Sequence, residues 1–145
     1  MPDLAKDIFR GTSRALAQLG YASLAEVPLA NGRRADLVAM SRDGSLLIVE
    51  VKSSVADFRA DRKWPDYRDF CDRLAFAVAA DFPRHLIPEE CGLIVADPFG
   101  AAILREGVET RLAPARRRAL TQRFARIAAA RLTRLLDPGA LEPEP

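Results

Sequence analysis

The stretch RADLVAMSRDGSLLIVEVK, residues 34–52, holds two β-prone segments on either side of a short polar turn. Valine, leucine and isoleucine dominate both segments, which predicts neighbouring strands over residues 35–41 and 46–52. The turn at 42–44 ends in Gly44, and glycine readily takes the left-handed conformation that the third position of a three-residue hairpin loop requires. We therefore expect an antiparallel hairpin here.

The length of that turn decides whether the charged residues of the two strands meet. In a three-residue loop Asp36 lies directly opposite Glu50, whereas a two-residue loop places them on opposite faces of the sheet. Lys52 lies two residues beyond Glu50 and shares its face, since side chains alternate along a strand. The glycine favours the three-residue loop, which brings all three charged side chains to one face.

Charged residues within strands that otherwise consist of core residues need a physical reason, because burying an unpaired charge is costly. Two adjacent carboxylates repel each other, and a hard divalent cation such as Mg²⁺ or Mn²⁺ relieves that repulsion. Asp36 and Glu50 would hold the cation, and Lys52 would contact the attacking water or the phosphate, as metal-assisted phosphodiester hydrolysis requires. The alternatives are a structural ion pair, a degenerate site, or a solvated pair on a surface strand.

The rest of the chain predicts helices and strands around this hairpin. Helical periodicity, together with residues that start and end helices, indicates an α/β fold with a mixed central sheet flanked by helices. Trp64, Tyr67, Phe70 and Leu74 are spaced as one face of a helix, with Pro65 in its first turn. The predicted helices span 4–19 and 115–136, and the further strands span 24–29, 74–79, 92–97 and 101–106. We expect one domain over 1–136 and a flexible tail over 137–145.

The composition limits which kinds of metal or catalytic site, and which cellular location, we expect. The 145 residues include one histidine and two cysteines, which makes a Cys/His metal site or a Ser-His-Asp triad a poor interpretation. No apolar run approaches the roughly 20 residues of a membrane helix, and the first residues lack the apolar segment of a secretory signal. We expect a cytoplasmic protein without a membrane partner.

Positive charge is concentrated near the C-terminus. Residues 111–136 contain eight arginines and no acidic residue. Such a segment is typical of a protein that binds a polyanion, but arginine-rich helices are also ordinary solvated faces, and the sequence leaves both interpretations open. The candidate nucleic-acid contacts beside the apolar arc of this helix are Arg116, Arg123, Arg126 and Arg134.

The order of elements and the three charged positions resemble the PD-(D/E)XK, restriction-endonuclease-like nuclease superfamily. Its core is a helix, a three-strand meander, a helix and a strand. A longer pattern, EVKSSVADFRADRKWPDYRDFCDRLAFAV at 50–78 followed by GLIVADPFGAAILRE at 92–106, is similar to the MmcB family of bacterial DNA-repair proteins within that superfamily. This second pattern covers more of the chain than the three charged positions do.

The resemblance implies a Mg²⁺- or Mn²⁺-dependent DNA nuclease with a role in repair or damage tolerance. Asp36, Glu50 and Lys52 would be catalytic, and the main-chain carbonyl of Val51 would join the two carboxylates as a metal ligand. The candidate auxiliary residues are Glu26, Lys63 and Tyr67. DNA is the expected partner, with a second copy of the chain and other repair proteins as further candidates. A non-catalytic DNA-binding or adaptor module is the main alternative, and a structural domain without a nucleic-acid role is a third.

Overall fold

A computed structural model of the protein describes residues 3–141 and contains a six-stranded sheet flanked by helices. The predicted mixed α/β architecture is thereby confirmed. The elements in chain order are α1 (Asp3–Gln18), β1 (Ala22–Pro28), β2 (Arg34–Met40), β3 (Leu46–Val51), α2 (Val55–Ala60), a 3₁₀ segment (Trp64–Phe70), β4 (Arg73–Val78), a short 3₁₀ turn (Arg84–Leu86), β5 (Gly92–Ala96), β6 (Ala101–Arg105) and α3 (Pro114–Leu136).

The six strands lie in the sheet in their chain order. β1, β2 and β3 form an antiparallel meander, β4 and β5 run parallel to β3, and β6 returns antiparallel to β5. A parallel connection needs a crossover segment, and the one between β3 and β4 contains α2 and the following 3₁₀ segment. This crossover therefore begins directly after the charged end of β3.

Apolar residues cover both faces of the sheet. On β3, Leu46 and Ile48 point to the face covered by the crossover and α3, whereas Val49 and Val51 point to the face covered by α1. Strand alternation therefore places Glu50 in the same row as Leu46 and Ile48, at the point where the apolar layer ends. The polar site lies at one end of a hydrophobic layer rather than in its middle.

A close helix contact fixes α1 against the turn between β5 and β6. A Cβ atom at Gly11 would overlap the carbonyl oxygens of Asp97 and Gly100. Because both neighbours are backbone atoms, they cannot move aside as a flexible side chain would. Glycine at this position is what allows α1 to pack so closely.

A carboxylate anchors the start of α3 to the sheet. Asp72 is 4% exposed and accepts the backbone N–H groups of Leu46 and Leu112, each at 2.8 Å. Arg117 donates to the same carboxylate at 2.7 Å. Burial raises the pKa of Asp72, but the Arg117 guanidinium and the two N–H donors outweigh it and hold that pKa at about 2. Asp72 thus stays ionised and ties three segments together.

One predicted helix is wrong. The segment expected to form an α-helix through Leu74 instead forms a 3₁₀ segment, Trp64–Phe70, and Leu74 belongs to β4. Aromatic residues recur there at intervals of three, which matches the three residues per turn of a 3₁₀ helix. The other predicted helices and strands have bounds within two residues of the prediction, whereas the sequence does not predict α2.

At the C-terminus α3 ends at Leu136, as predicted. The predicted flexible tail extends to 145, so its last four residues lie outside the described part of the chain. Within the described residues, no helix is long and apolar enough to cross a membrane.

Candidate active site

The turn between β2 and β3 sets the register of the site. Gly44 has a φ of 88°, and Ser41 donates its backbone N–H to the carbonyl of Ser45 at 2.9 Å, which closes the three-residue loop. The ladder then pairs Leu37 with Val49 as its last regular pair. At the next position along both strands, Asp36 lies opposite Glu50, as the glycine-terminated turn predicts.

Beyond that last pair, hydrogen bonds from backbone N–H groups to the two carboxylates join the strands in place of backbone–backbone hydrogen bonds. The N–H of Asp36 donates to Glu50 Oε2 at 2.8 Å, and the N–H of Val51 donates to Asp36 Oδ2 at 2.8 Å. Each carboxylate thus has one oxygen held by a backbone donor of the neighbouring strand. The remaining oxygens, Asp36 Oδ1 and Glu50 Oε1, accept no hydrogen bond from residues 3–141.

Burial and like charge make this acid pair electrostatically costly. Glu50 is 3% exposed, and burial together with the neighbouring Asp36 carboxylate raises its pKa to about 8. Burial also raises the pKa of Asp36. Without a cation, the pair therefore favours a state in which one carboxyl group holds a proton.

Lys52 has a carboxylate partner that the sequence did not indicate. Its Nζ lies 2.6 Å from Asp61 Oδ2, and the two side chains are 8% and 13% exposed. Asp61 follows α2 and also accepts the backbone N–H of Lys63 at 2.7 Å. Burial opposes ionisation of Asp61, yet the Lys52 ammonium and the Lys63 N–H together lower its pKa. Lys52 is thus held at the site by a fixed, ionised carboxylate.

The acid pair and Lys52 line an open cleft of about 550 Å³. Val51, the predicted main-chain ligand, lies in its wall between them. Among residues 3–141 no group of three or more Asp, Glu, His or Cys side chains gathers as a closed metal site would. Each of the two carboxylates has one oxygen that accepts no hydrogen bond from the described residues. Such a pair suits a hard cation such as Mg²⁺, which takes few protein ligands and keeps several waters.

The three predicted auxiliary residues have different positions in the cleft. Glu26 has a φ of 50° and lies opposite Asp36 on β1, between the pairs that the β1–β2 ladder forms on either side of it. Lys63 is exposed in the cleft wall. Tyr67 is buried and donates its hydroxyl to the carbonyl of Arg34 at 3.0 Å. Tyr67 therefore fixes the start of β2.

The α3 arginines that the sequence singles out do not line this cleft. Arg116 donates to the carbonyl of Asp69 at 3.0 Å, and Arg123 donates to the carbonyl of Pro28 at 3.3 Å. Both fasten α3 to the body of the protein. Arg126 is exposed, and Arg134 is half-buried with a partner of its own. A phosphate-binding role for these four residues stays a prediction.

Fold and site together define a class of protein: a mixed α/β protein that holds two neighbouring carboxylates and a lysine in an open cleft at one end of the β1–β3 meander. A family profile described as "DNA repair protein MmcB-like" matches residues 1–139, so the chain belongs to the MmcB-like DNA repair protein family. It is also similar to a solved structure of a protein of unknown function from Silicibacter pomeroyi, SPO1766. That similarity has 42% identity and a TM-score of 0.93 over 97% of each chain. No curated protein matches the chain.

Proposed function

We propose that this protein is a Mg²⁺- or Mn²⁺-dependent nuclease that hydrolyses phosphodiester bonds of DNA, with a restriction-endonuclease-like core of the PD-(D/E)XK superfamily. The proposal rests on the pair of half-buried Asp36 and buried Glu50 beside Lys52, which Asp61 holds in place. In each of the two carboxylates one oxygen accepts a backbone N–H and the other accepts no hydrogen bond from the described residues. Membership of a DNA repair family supports DNA as the substrate. The meander followed by a helical crossover supports the superfamily assignment.

Asp36, Glu50 and the Val51 carbonyl are the ligands that would hold the cation. When bound, the cation would supply Lewis-acid polarisation of a phosphoryl oxygen and a lower pKa for its coordinated water. Asp36 and Glu50 would then both remain ionised, because the positive charge offsets their burial and mutual repulsion. The backbone donors on their second oxygens keep the two carboxylates oriented before any ligand arrives.

Lys52 supplies positive charge at the reacting phosphate. An ammonium group has three donors, and the contact with Asp61 uses one of them. The remaining donors can contact the attacking water or a non-bridging phosphate oxygen. Such contacts strengthen as negative charge develops, and so act mainly in the transition state.

The second candidate is a non-catalytic DNA-binding or adaptor module on the same fold. One observation favours it: the Lys52 ammonium already has an ion-pair partner 2.6 Å away. An adaptor would bind DNA without hydrolysing it, whatever divalent cation is present.

Cleavage of labelled DNA tests the proposal against this alternative. Purified protein is incubated with linear single-stranded, duplex, nicked and flapped DNA in Mg²⁺, Mn²⁺ or EDTA. We expect metal-dependent cleavage of at least one substrate, abolished by Asp36→Asn and by Lys52→Ala. Glu89→Gln, at an exposed position outside the cleft, is the matched control and should cleave as the parent does. DNA binding without cleavage in any metal would instead establish the adaptor.

A further inference from the structure

Three exposed cations surround the cleft without a partner. Arg34, Arg62 and Lys63 line the cleft, and their side chains form no hydrogen bond or ion pair within residues 3–141. Many basic side chains elsewhere do have partners. Those pairs include Arg33 with Asp66, Arg68 with Glu90, Arg73 with Glu109, Arg117 with Asp72, Arg116 with the Asp69 carbonyl and Arg123 with the Pro28 carbonyl. Arg10, Arg14 and Arg84 are likewise exposed and have no side-chain partner within residues 3–141, so the cleft cations are distinguished by their position beside the acid pair.

The three cations come from two segments of the chain that line the same cleft as the acid pair. Arg34 precedes Asp36 by two residues on β2, so it lies on the same face about 6–7 Å along the strand. Arg62 and Lys63 directly follow Asp61, the carboxylate that holds Lys52. Asp36 and Glu50 thus share the cleft with one cation on the sheet and two cations on the crossover.

This placement matters because the centre of the cleft is acidic. A phosphodiester strand that enters the cleft brings one negative charge per nucleotide towards Asp36 and Glu50. Cations beside the carboxylates attract the neighbouring phosphates and offset that repulsion. Arginine in particular can form two parallel hydrogen bonds to one phosphate.

We propose that Arg34 on β2, and Arg62 with Lys63 on the crossover, bind the phosphates next to the scissile bond of one DNA strand. The strand would cross the cleft from the start of β2 to the segment between α2 and the 3₁₀ turn. This inference rests on the proposed function for the location of the scissile bond. It assigns DNA binding to the cleft rather than to α3.

Fluorescence anisotropy of a labelled 20-nucleotide single strand tests this assignment. Binding is measured in EDTA, so that the result does not depend on metal or on cleavage, over a series from 20 to 200 mM salt. The test variant is Arg34→Ala/Arg62→Ala/Lys63→Ala. The matched control, Arg10→Ala/Arg14→Ala/Arg84→Ala, removes the same charge at exposed residues outside the cleft.

The cleft variant should lose about tenfold or more in affinity, and its salt dependence should weaken by about two in logarithmic slope, since each phosphate contact on a single strand contributes about 0.7. The control should keep the parent slope. Thermal melts should be the same for all three proteins, because the removed side chains form no hydrogen bond or ion pair with the part of the chain that the structure describes. Arg34→Lys/Arg62→Lys should recover most of the affinity.

Equal losses in the two triple variants would overturn the inference, as would absence of binding by the parent at 20 mM salt. A larger loss in an Arg118→Ala/Arg126→Ala variant would move the binding surface to α3 and also overturn it. Parent cleavage in Mg²⁺ is scored separately. Cleavage with no effect of the cleft variant rejects the inference and keeps the nuclease. The expected binding loss without parent cleavage keeps the strand-binding site and rejects the nuclease.

Discussion

Glu50→Gln should remove a pH-dependent loss of stability from the metal-free protein. Burial and Asp36 raise the pKa of Glu50 to about 8 in the folded protein, against an ordinary value of 4.5. Because the folded-state pKa is the higher one, the carboxyl favours folding fully below pH 4.5. That contribution is lost as the pH rises through 8. Glutamine keeps an oxygen that can accept the Asp36 N–H but does not titrate.

The size of the effect follows from the two pKa values. A tenfold change in proton affinity corresponds to about 1.4 kcal/mol, so the full shift would be worth about 5 kcal/mol. Relaxation and water in the open cleft reduce the cost of ionising a buried carboxylate. We therefore expect the parent to lose about 2–4 kcal/mol of unfolding free energy, relative to Glu50→Gln, between pH 5 and pH 9.

Urea denaturation in EDTA measures this difference, and the single tryptophan, Trp64, provides the fluorescence signal. Titrating groups distant from the pair are common to both proteins and cancel in the comparison, whereas Asp36 loses its charged neighbour in Glu50→Gln. Glu89→Gln controls for loss of a carboxylate at an exposed position and should follow the parent at every pH. At pH 9, Mg²⁺ at a hundred times its Kd should raise the unfolding free energy of the parent by about 2.7 kcal/mol. The same Mg²⁺ concentration should leave the unfolding free energy of Glu50→Gln unchanged. A constant difference between parent and Glu50→Gln across pH 5–9 would refute the electrostatic account of the pair.

Three further predictions concern packing, lysine positioning and the α3 arginines. Gly11→Ala should cost about 2–3 kcal/mol in urea denaturation, because the new methyl group meets backbone carbonyls that cannot move aside; an unchanged midpoint would contradict the close contact. Asp61→Asn should lower kcat by about tenfold with little change in KM, because Lys52 loses its fixed position; a change in KM alone would assign Asp61 to substrate binding. Arg116→Ala should lower the melting temperature, since Arg116 donates to a backbone carbonyl and lies over the Phe70 ring, whereas Arg126→Ala should not; equal melting temperatures would show that α3 needs no such anchor.

Local sequence rules predict the hairpin that carries the site. The turn geometry follows from Gly44, and strand alternation then brings Asp36, Glu50 and Lys52 to one face. These relations involve neighbours in sequence or directly paired strands, where the backbone leaves few alternatives. The two helices at the ends of the chain are predicted for the same reason, since their periodicity is local.

The crossover after β3 could not be predicted in the same way. The contact between Lys52 and Asp61 depends on where α2 ends and on how the chain turns back towards the sheet. The aromatic spacing from Trp64 to Phe70 fits either a 3₁₀ segment or part of an α-helix, and tertiary packing decides between them. Likewise, the sequence shows the positive charge of the α3 arginines but does not predict which backbone carbonyl groups accept hydrogen bonds from them.

Anomalous diffraction from a crystal of the protein soaked in Mn²⁺ shows whether the acid pair holds a divalent cation. We predict one strong anomalous peak in the cleft, from an ion bonded to one oxygen each of Asp36 and Glu50. The same soak of Asp36→Asn should give no peak there, while its fold is unchanged. Absence of a peak between the two carboxylates in the parent protein, in crystals that leave the cleft open to solvent, would contradict the account.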